Sequence, residues 1–331
     1  MSVEGRAPVA PTKSRVLPAY RVHGLVVASE IPFSAPSAEP SASPDVVIRV
    51  EDFEVERTKS GRVLLAYDYP NGASVVVTDE TGGYLIGYSG LLRILVSHDL
   101  GQVRLWAESD VGRALAPALV EGWVMAFVLQ LAHHCVLHAS AVVFDEGAVA
   151  FMGNSGMGKS TTATLLCSRG AQFLADDVLR VGGSAQGAVA YPGSRSARLR
   201  PGASELATEV PFALCKPTSD GRLGVTFAGA PIEGPVALRA VLIPWPSRQA
   251  SSVSVSWLDP RLAVVELSAY PRLYDWRITG PPQRQFSWAA EVATALPVGH
   301  LIVPWGPPWP PELITHLYES VLTQLRSWAG P

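Results

Sequence analysis

Hydrophobic and polar positions change rhythm three times along the chain. Short runs of strand-like alternation, Tyr20 to Ala28, Val46 to Val50, Arg62 to Tyr67, Ala73 to Thr78, Gly83 to Gly87 and Leu92 to Val96, are separated by turn signals such as Pro70-Asn71-Gly72 and Thr81-Gly82-Gly83. This pattern predicts an antiparallel sheet. From Val111 to His134 alanine, leucine, valine and methionine dominate and no turn cluster follows Gly122, which predicts a long buried helix at the end of a first domain. Beyond it, VLHASAVVF and AVAFMG flank Asp145-Glu146-Gly147, two strand-like runs around a tight turn. Further apolar runs span Leu238 to Ile243 and His300 to Val303, and Pro310-Pro311 marks the start of a closing helix from Pro311 to Trp328.

Two stretches carry no period. Residues 1–18 and the segment SAPSAEPSASP (34–44) are rich in proline and small polar residues, and read as a tail and a mobile loop. With 331 residues there is room for two domains. The expected division is a flexible tail over 1–18, a β-rich N-terminal domain over 19–134 that ends in a helix, and a phosphate-loop catalytic domain over 135–331.

Composition narrows the class. Hydrophobic residues make up 48% and charged residues 17%, which fits a globular chain. A net charge of -3 gives no excess of cations for nucleic acid or anionic lipid, so neither is an expected partner. Three widely spaced cysteines, Cys135, Cys167 and Cys215, suit neither a disulfide framework nor a zinc site. The opening residues lack the apolar stretch of a secretory signal, and the most apolar long segment, Ala114 to Ala132, is interrupted by Pro117, Glu121, Gly122 and Gln130. The expectation is a cytoplasmic protein with no membrane span; its partners can include further copies of itself.

The chemistry lies after AVAFMG. Gly153, Asn154, Ser155, Gly156, Met157, Gly158, Lys159 and Ser160 match the GxxxxGK[ST] phosphate loop in full, between a predicted strand and a predicted helix. Glycines let the backbone wrap a polyphosphate, amide groups and the helix N-terminus face the anion, and Lys159 adds a point charge. Ser160 is the expected magnesium ligand. The helix runs to about Arg169 and ends at Gly170; a strand, Gln172 to Ala175, then returns. A right-handed crossover makes that strand parallel to the loop strand and delivers Asp176 and Asp177 to the phosphate edge. Adjacent carboxylates beside a polyphosphate repel unless a metal or proton intervenes. Asp176 as general base and Asp177 as a magnesium ligand is the assignment expected here.

The run GNSGMGKSTTATLLCSRGAQFLADDV resembles the core of HPr kinase/phosphorylase and HPr-kinase-like proteins. The likeness rests on the loop, the helix ending in Arg-Gly, and the LADD strand end that follows the loop lysine after one helix and one strand. It implies an α/β fold, a P-loop kinase core of the HPr kinase/phosphoenolpyruvate carboxykinase type with a mixed sheet, carrying an ATP-dependent serine kinase activity. The opening segment YRVHGLVVASEIPF is similar to HPr-kinase-like proteins found with lasso-peptide and other modified-peptide genes. The resemblance makes a peptide or protein hydroxyl the expected acceptor, and ATP and Mg2+ the expected substrate and metal.

It also marks His138, in Leu137-His138-Ala139, as the counterpart of a histidine on the strand before the loop. Thr161 stands where the family usually carries glutamate, and the carboxy-terminal loop tied to phosphorylase activity has no clear match. Arg195, Arg198, Lys216 and Arg239 are candidate phosphate or substrate contacts. Trp305 and Trp309 in WGPPWPP read first as core or domain packing, with a peptide groove as the alternative. A small-metabolite kinase, a nucleotide-hydrolysing switch and a nucleotide-sensing module stay open beside the peptide kinase.

Overall fold

The computed structural model describes residues 16–41, 43–51, 61–69, 72–184, 187–208, 210, 213–218, 221–227 and 229–327. Residues 1–15 of the predicted tail over 1–18, Pro70 and Asn71 of the predicted turn, and Trp328 lie outside the described residues. The chain is a mixed α/β protein built on two large sheets and one small one.

In the first sheet the described strands follow the order Ser37–Ala38, Ala19–Val22, Leu25–Ser29, Val46–Val50, Gln102–Ala107, Leu92–Val96, Gly83–Tyr88, Ser74–Glu80 and Arg62–Asp68. The alternating runs all become strands, with two corrections. The run from Tyr20 to Ala28 is a hairpin, because His23 and Gly24 both take positive φ and turn the chain. The sheet is mixed and not antiparallel throughout, since Val46–Val50 pairs in parallel with Leu25–Ser29 and with Gln102–Ala107. Gln102–Ala107 is a further strand that the sequence runs did not include, with exposed Gln102 and Arg104 alternating with buried Val103 and Leu105.

The predicted long helix is present as one run of helical turns, Asp110–Leu131, capped where Ser109 Oγ accepts from Gly112 N at 3.1 Å. Its middle, Val120–Val124, widens into a π-turn. By length and composition this 22-residue helix is apolar enough to cross a membrane, contrary to the expectation from its interrupted apolar run. Its apolar side chains have another use: Val120 and the run from Trp123 to Leu129 are buried in the core beneath the first sheet. Past the helix end, burial first and then Arg180 and His133 lower the pKa of His134, the reverse of a dipole-stabilised imidazolium.

The second sheet carries the loop that matches GxxxxGK[ST]. Its path is Cys135–Leu137, Leu179–Ser184, Gly187–Ala190, Val236–Ser247, Gly147–Met152, Ala139–Phe144 and Gln172–Ala175, with Val298–Pro304 and then Ser254–Trp257 branching from Val236–Ser247. Ala139–Phe144 and Gly147–Met152 form the predicted hairpin. Every residue of Gly147–Met152 is buried, as expected for a central strand covered on both faces. Val149 and Phe151 share a core with residues of the helices Lys159–Cys167 and Pro311–Ser327, while Ala148, Ala150 and Met152 share another with Pro260–Ala269 and Pro281–Ala295. The strand period of two thus sorts its side chains into two separate cores.

The returning strand Gln172–Ala175 is antiparallel to Ala139–Phe144, which is itself antiparallel to Gly147–Met152. It therefore runs in the direction of the loop strand, as predicted, with one strand between them. A three-stranded sheet, Ser196–Leu199, Leu223–Phe227 and Ala213–Pro217, lies beside this edge.

Candidate functional site

Gly147–Met152 ends at Gly153, and the loop turns into the helix Lys159–Cys167 through Gly158, which has φ +87°. That left-handed residue redirects the chain within one step, and only glycine adopts it without strain. Ser155, Gly156, Gly158, Lys159, Ser160 and Thr161 line a cavity of about 490 Å3. Gly153, Asn154 and Met157 instead close the loop on itself: Met157 N donates to Asn154 O at 3.2 Å, and Asn154 N contacts Met157 Sδ at 3.1 Å. Lys159 Nζ donates to the carbonyls of Gly153 and Asn154 at 2.8 and 3.1 Å. Burial pushes this ammonium down to about 8, against the opposing pull of Asp177 and Asp176.

The two aspartates have different neighbours. Asp176 Oδ1 accepts from Ser160 Oγ at 2.8 Å and from Ser140 Oγ at 2.5 Å, and its Oδ2 faces Arg198 N at 3.3 Å. Asp177 takes a left-handed conformation, φ +68°, which turns the backbone between the two carboxylates. Its Oδ2 meets Arg272 Nη2 at 2.6 Å and Arg198 Nη2 at 3.3 Å, and its Oδ1 meets His138 Nε2 at 3.3 Å. Burial raises the Asp177 carboxyl, yet Arg272, His138 and Arg198 together hold it well below the usual range. Burial lowers His138, with Asp177 opposing, so a neutral ring whose Nε2–H donates to Asp177 accounts for the contact. His138 Nδ1 is buried and has no hydrogen-bond partner among the described residues.

The carboxylate that contacts the loop serine is thus Asp176, while Asp177 faces Arg272, Arg198 and His138. Magnesium takes oxygen ligands and keeps several from water or phosphate. Ser160 and Asp176 form an all-oxygen pair that fits such an ion, and among the described residues no cluster of three or more histidine, cysteine, aspartate or glutamate side chains suggests a softer metal.

Of the four candidate cations, Arg198 reaches the site and the others do not. Arg195 donates to the carbonyls of Phe227 and Gly229 at 2.7 and 2.9 Å. Lys216 is exposed on Ala213–Pro217 and does not line the cavity. Arg239 donates to Glu146 O at 2.9 Å, at the far turn of the loop-strand hairpin. In their place stand Arg200, whose Nη2 donates to Ser155 Oγ at 3.1 Å, together with Arg222 on the cavity wall and Arg272.

Arg272 belongs to a segment between the helices Pro260–Ala269 and Pro281–Ala295 that no sequence signal marked. Leu273 is buried in the core of the first sheet, Tyr274 Oη donates to Asn154 Oδ1 at 3.0 Å, and Trp276 bridges to Leu65. The segment therefore ties the first sheet to the loop. From the other side the π-turn brings Gly122 so close that a Cβ there would lie 2.7 Å from Asp177 Oδ2 and 3.2 Å from Arg272 Nη2. Any larger residue would displace the ion pair. Trp305 and Trp309 line the cavity, and Trp309 also packs against the core of the second sheet, the setting expected for it.

No family model matches the chain, and no curated protein matches it. Among solved structures the chain is similar to the Hpr(Ser) kinase/phosphatase from Coxiella burnetii, with 14% identity, coverage of 57% of this chain and 89% of that one, and a TM-score of 0.30. A likeness so distant adds nothing to the geometry of the site itself.

Proposed function

We propose that the chain is an ATP-dependent, HPr-kinase-like phosphotransferase that moves the γ-phosphoryl group to a serine or threonine hydroxyl of a peptide or protein acceptor. The observation that carries this reading is the 2.8 Å contact between Ser160 and Asp176 at the mouth of the loop, with Asp177 held beside it by Arg272, Arg198 and His138. In phosphoryl transfer positioning and charge neutralisation outweigh covalent chemistry by the protein.

In this reading Lys159 and the loop amides bind the outer phosphates, and Arg200 and Arg198 neutralise charge on the transferred group. A magnesium ion held by Ser160 and Asp176 would supply further charge neutralisation when bound. Asp177 orients the acceptor hydroxyl. The acceptor oxygen forms a bond to the γ-phosphorus, the bond from that phosphorus to the bridging β–γ oxygen breaks, ADP leaves, and the acceptor proton passes to Asp177. A carboxylate fixed in one orientation by two guanidiniums is a weak base but a well-placed one, which suits a loose transition state.

A peptide acceptor is supported by the aromatic surface that the first sheet brings to the site. Tyr67 stacks on Tyr274 with ring centres 5.3 Å apart, and Tyr69 lies edge-on to Tyr67 at 4.9 Å. Strand addition at the neighbouring edge has less support, because Arg277 N already donates to Leu64 O there.

The test is incubation of the full chain with γ-labelled Mg-ATP and, separately, serine-containing peptides encoded beside its gene, a panel of free hydroxy metabolites, or no acceptor. Label on peptide hydroxyls is the expected result. Label only on a metabolite rejects the peptide acceptor, and phosphate released to water at the same rate with and without acceptor rejects transfer altogether.

A further inference from the structure

The cavity has a second end that phosphate chemistry does not use. Opposite Asp176 and Asp177, an apolar wall is formed by Pro246, Val303, Pro304, Trp305, Pro307 and Trp309. Topology places it there. Val236–Ser247 runs parallel to the loop strand and Val298–Pro304 runs parallel to Val236–Ser247, so both end at the edge where the phosphate loop begins. Ligands of open α/β sheets bind outside those carboxyl ends. The aspartates arrive on the other side of the loop strand, beyond Ala139–Phe144. The polar and apolar ends of the cavity therefore flank the loop, and a Cβ on Gly158 would lie 3.4 Å from Pro246, which shows how directly the wall abuts it.

Trp305 is held at the rim and left uncovered. Its backbone N–H donates to Ser247 O at 2.9 Å, extending the strand pairing by one residue. Arg248 Cζ lies 4.4 Å from the ring centre, while Arg248 itself does not line the cavity, so the guanidinium covers one face and leaves the other for a ligand. The residue is 52% exposed, so Arg248 covers only part of it. Flanking prolines restrict the backbone and lower the entropy lost on ordering a bound ring.

We propose that the strap Trp305–Trp309 is a nucleobase platform, on which the purine ring of a nucleoside triphosphate stacks while its phosphates lie in the loop. This rests on the phosphate-binding reading given above. It adds the residue that selects a nucleotide over a bare polyphosphate, and a cavity of about 490 Å3 is ample for both parts.

Two calorimetric probes separate the claims, Mg-ATP and Mg-tripolyphosphate, which has the phosphates and no base. Trp305→Ala should weaken ATP binding roughly 10- to 100-fold and leave tripolyphosphate unchanged, the loss expected for one base–aromatic stack. Trp305→Phe should stay within about 3-fold of the parent, since an aromatic face is retained. Lys159→Ala should weaken both probes. Equal loss of both probes in Trp305→Ala, or no loss of ATP, overturns the platform, with a matching thermal melt establishing that the variant is folded. A parent that binds tripolyphosphate as tightly as ATP also rejects the platform but keeps the loop reading. A parent that binds neither probe rejects both.

Discussion

The two large sheets use their strand edges in opposite ways. In the first, a core lies beneath the strands against the helix Asp110–Leu131, and its contribution to the site is indirect, through Gly122 and the Tyr67 and Tyr69 surface. In the second, the loop strand is buried on both faces and the candidate site residues sit beyond its carboxyl end. Covering both faces leaves only the strand ends open to a ligand, whereas a one-sided sheet is free to act as a support. The segment from Arg272 to Trp276 joins them, with one residue on Asp177, one in the first core and one on the phosphate loop.

The strongest way to break this contrast is at the loop. Lys159→Ala should lower nucleotide turnover about 10²- to 10³-fold while the chain stays folded, because the lysine acts on phosphate. Turnover assays beside thermal melts check it, and parental activity in the variant would remove the second sheet's claim to the chemistry.

Next is the joint itself. Arg272→Ala should cost about 10- to 100-fold in turnover, through misplacement of Asp177, with little change in ATP affinity. A kcat against KM comparison reads this directly; a loss confined to KM would make Arg272 a nucleotide contact. Leu273→Ala sharpens the point from the first sheet's side. Leu273 is buried in that core, so its truncation should cost about 2–5 kcal/mol by urea melt. It should also slow turnover, although Leu273 touches no reacting group. Independent regions would show the stability loss alone.

A smaller effect is the pH response of the nucleotide-free chain. Lys159 is lowered from 10.5 to about 8 by burial, so its charge is unfavourable in the fold. Between about pH 8 and 10.5 the unfolded chain binds the extra proton, and stability contributed by this site rises with pH. Compared with Lys159→Met, which cannot titrate, the parent should gain at most roughly 3 kcal/mol across that window. Urea melts of both proteins at several pH values test it. A parallel pH response in the two would show that Lys159 titrates normally.

Much of this site was legible in the sequence because its parts are local. The loop, the helix, the returning strand and the aspartate pair follow one another without interruption, and His138 precedes them by one hairpin. The three-residue reach of Arg272, Leu273 and Tyr274 was not legible, since an irregular segment has no period and its contacts are made with elements far away in the chain. Ser140 could have been suspected, two positions beyond His138, where a hydroxyl interrupts an otherwise apolar strand. The different fates of Asp176 and Asp177 were hidden for another reason. Adjacent residues share every sequence signal, and only the positive φ of Asp177 separates their partners.

That separation is the centre of the account, and magnesium titrations of ATP affinity test it most directly in the parent, Asp176→Asn and Asp177→Asn. Asparagine tolerates the left-handed conformation at 177, so neither change distorts the backbone. Asp176→Asn should flatten the magnesium dependence, while Asp177→Asn should keep the parental dependence and lose phosphoryl transfer. A magnesium dependence lost in Asp177→Asn and intact in Asp176→Asn would contradict it.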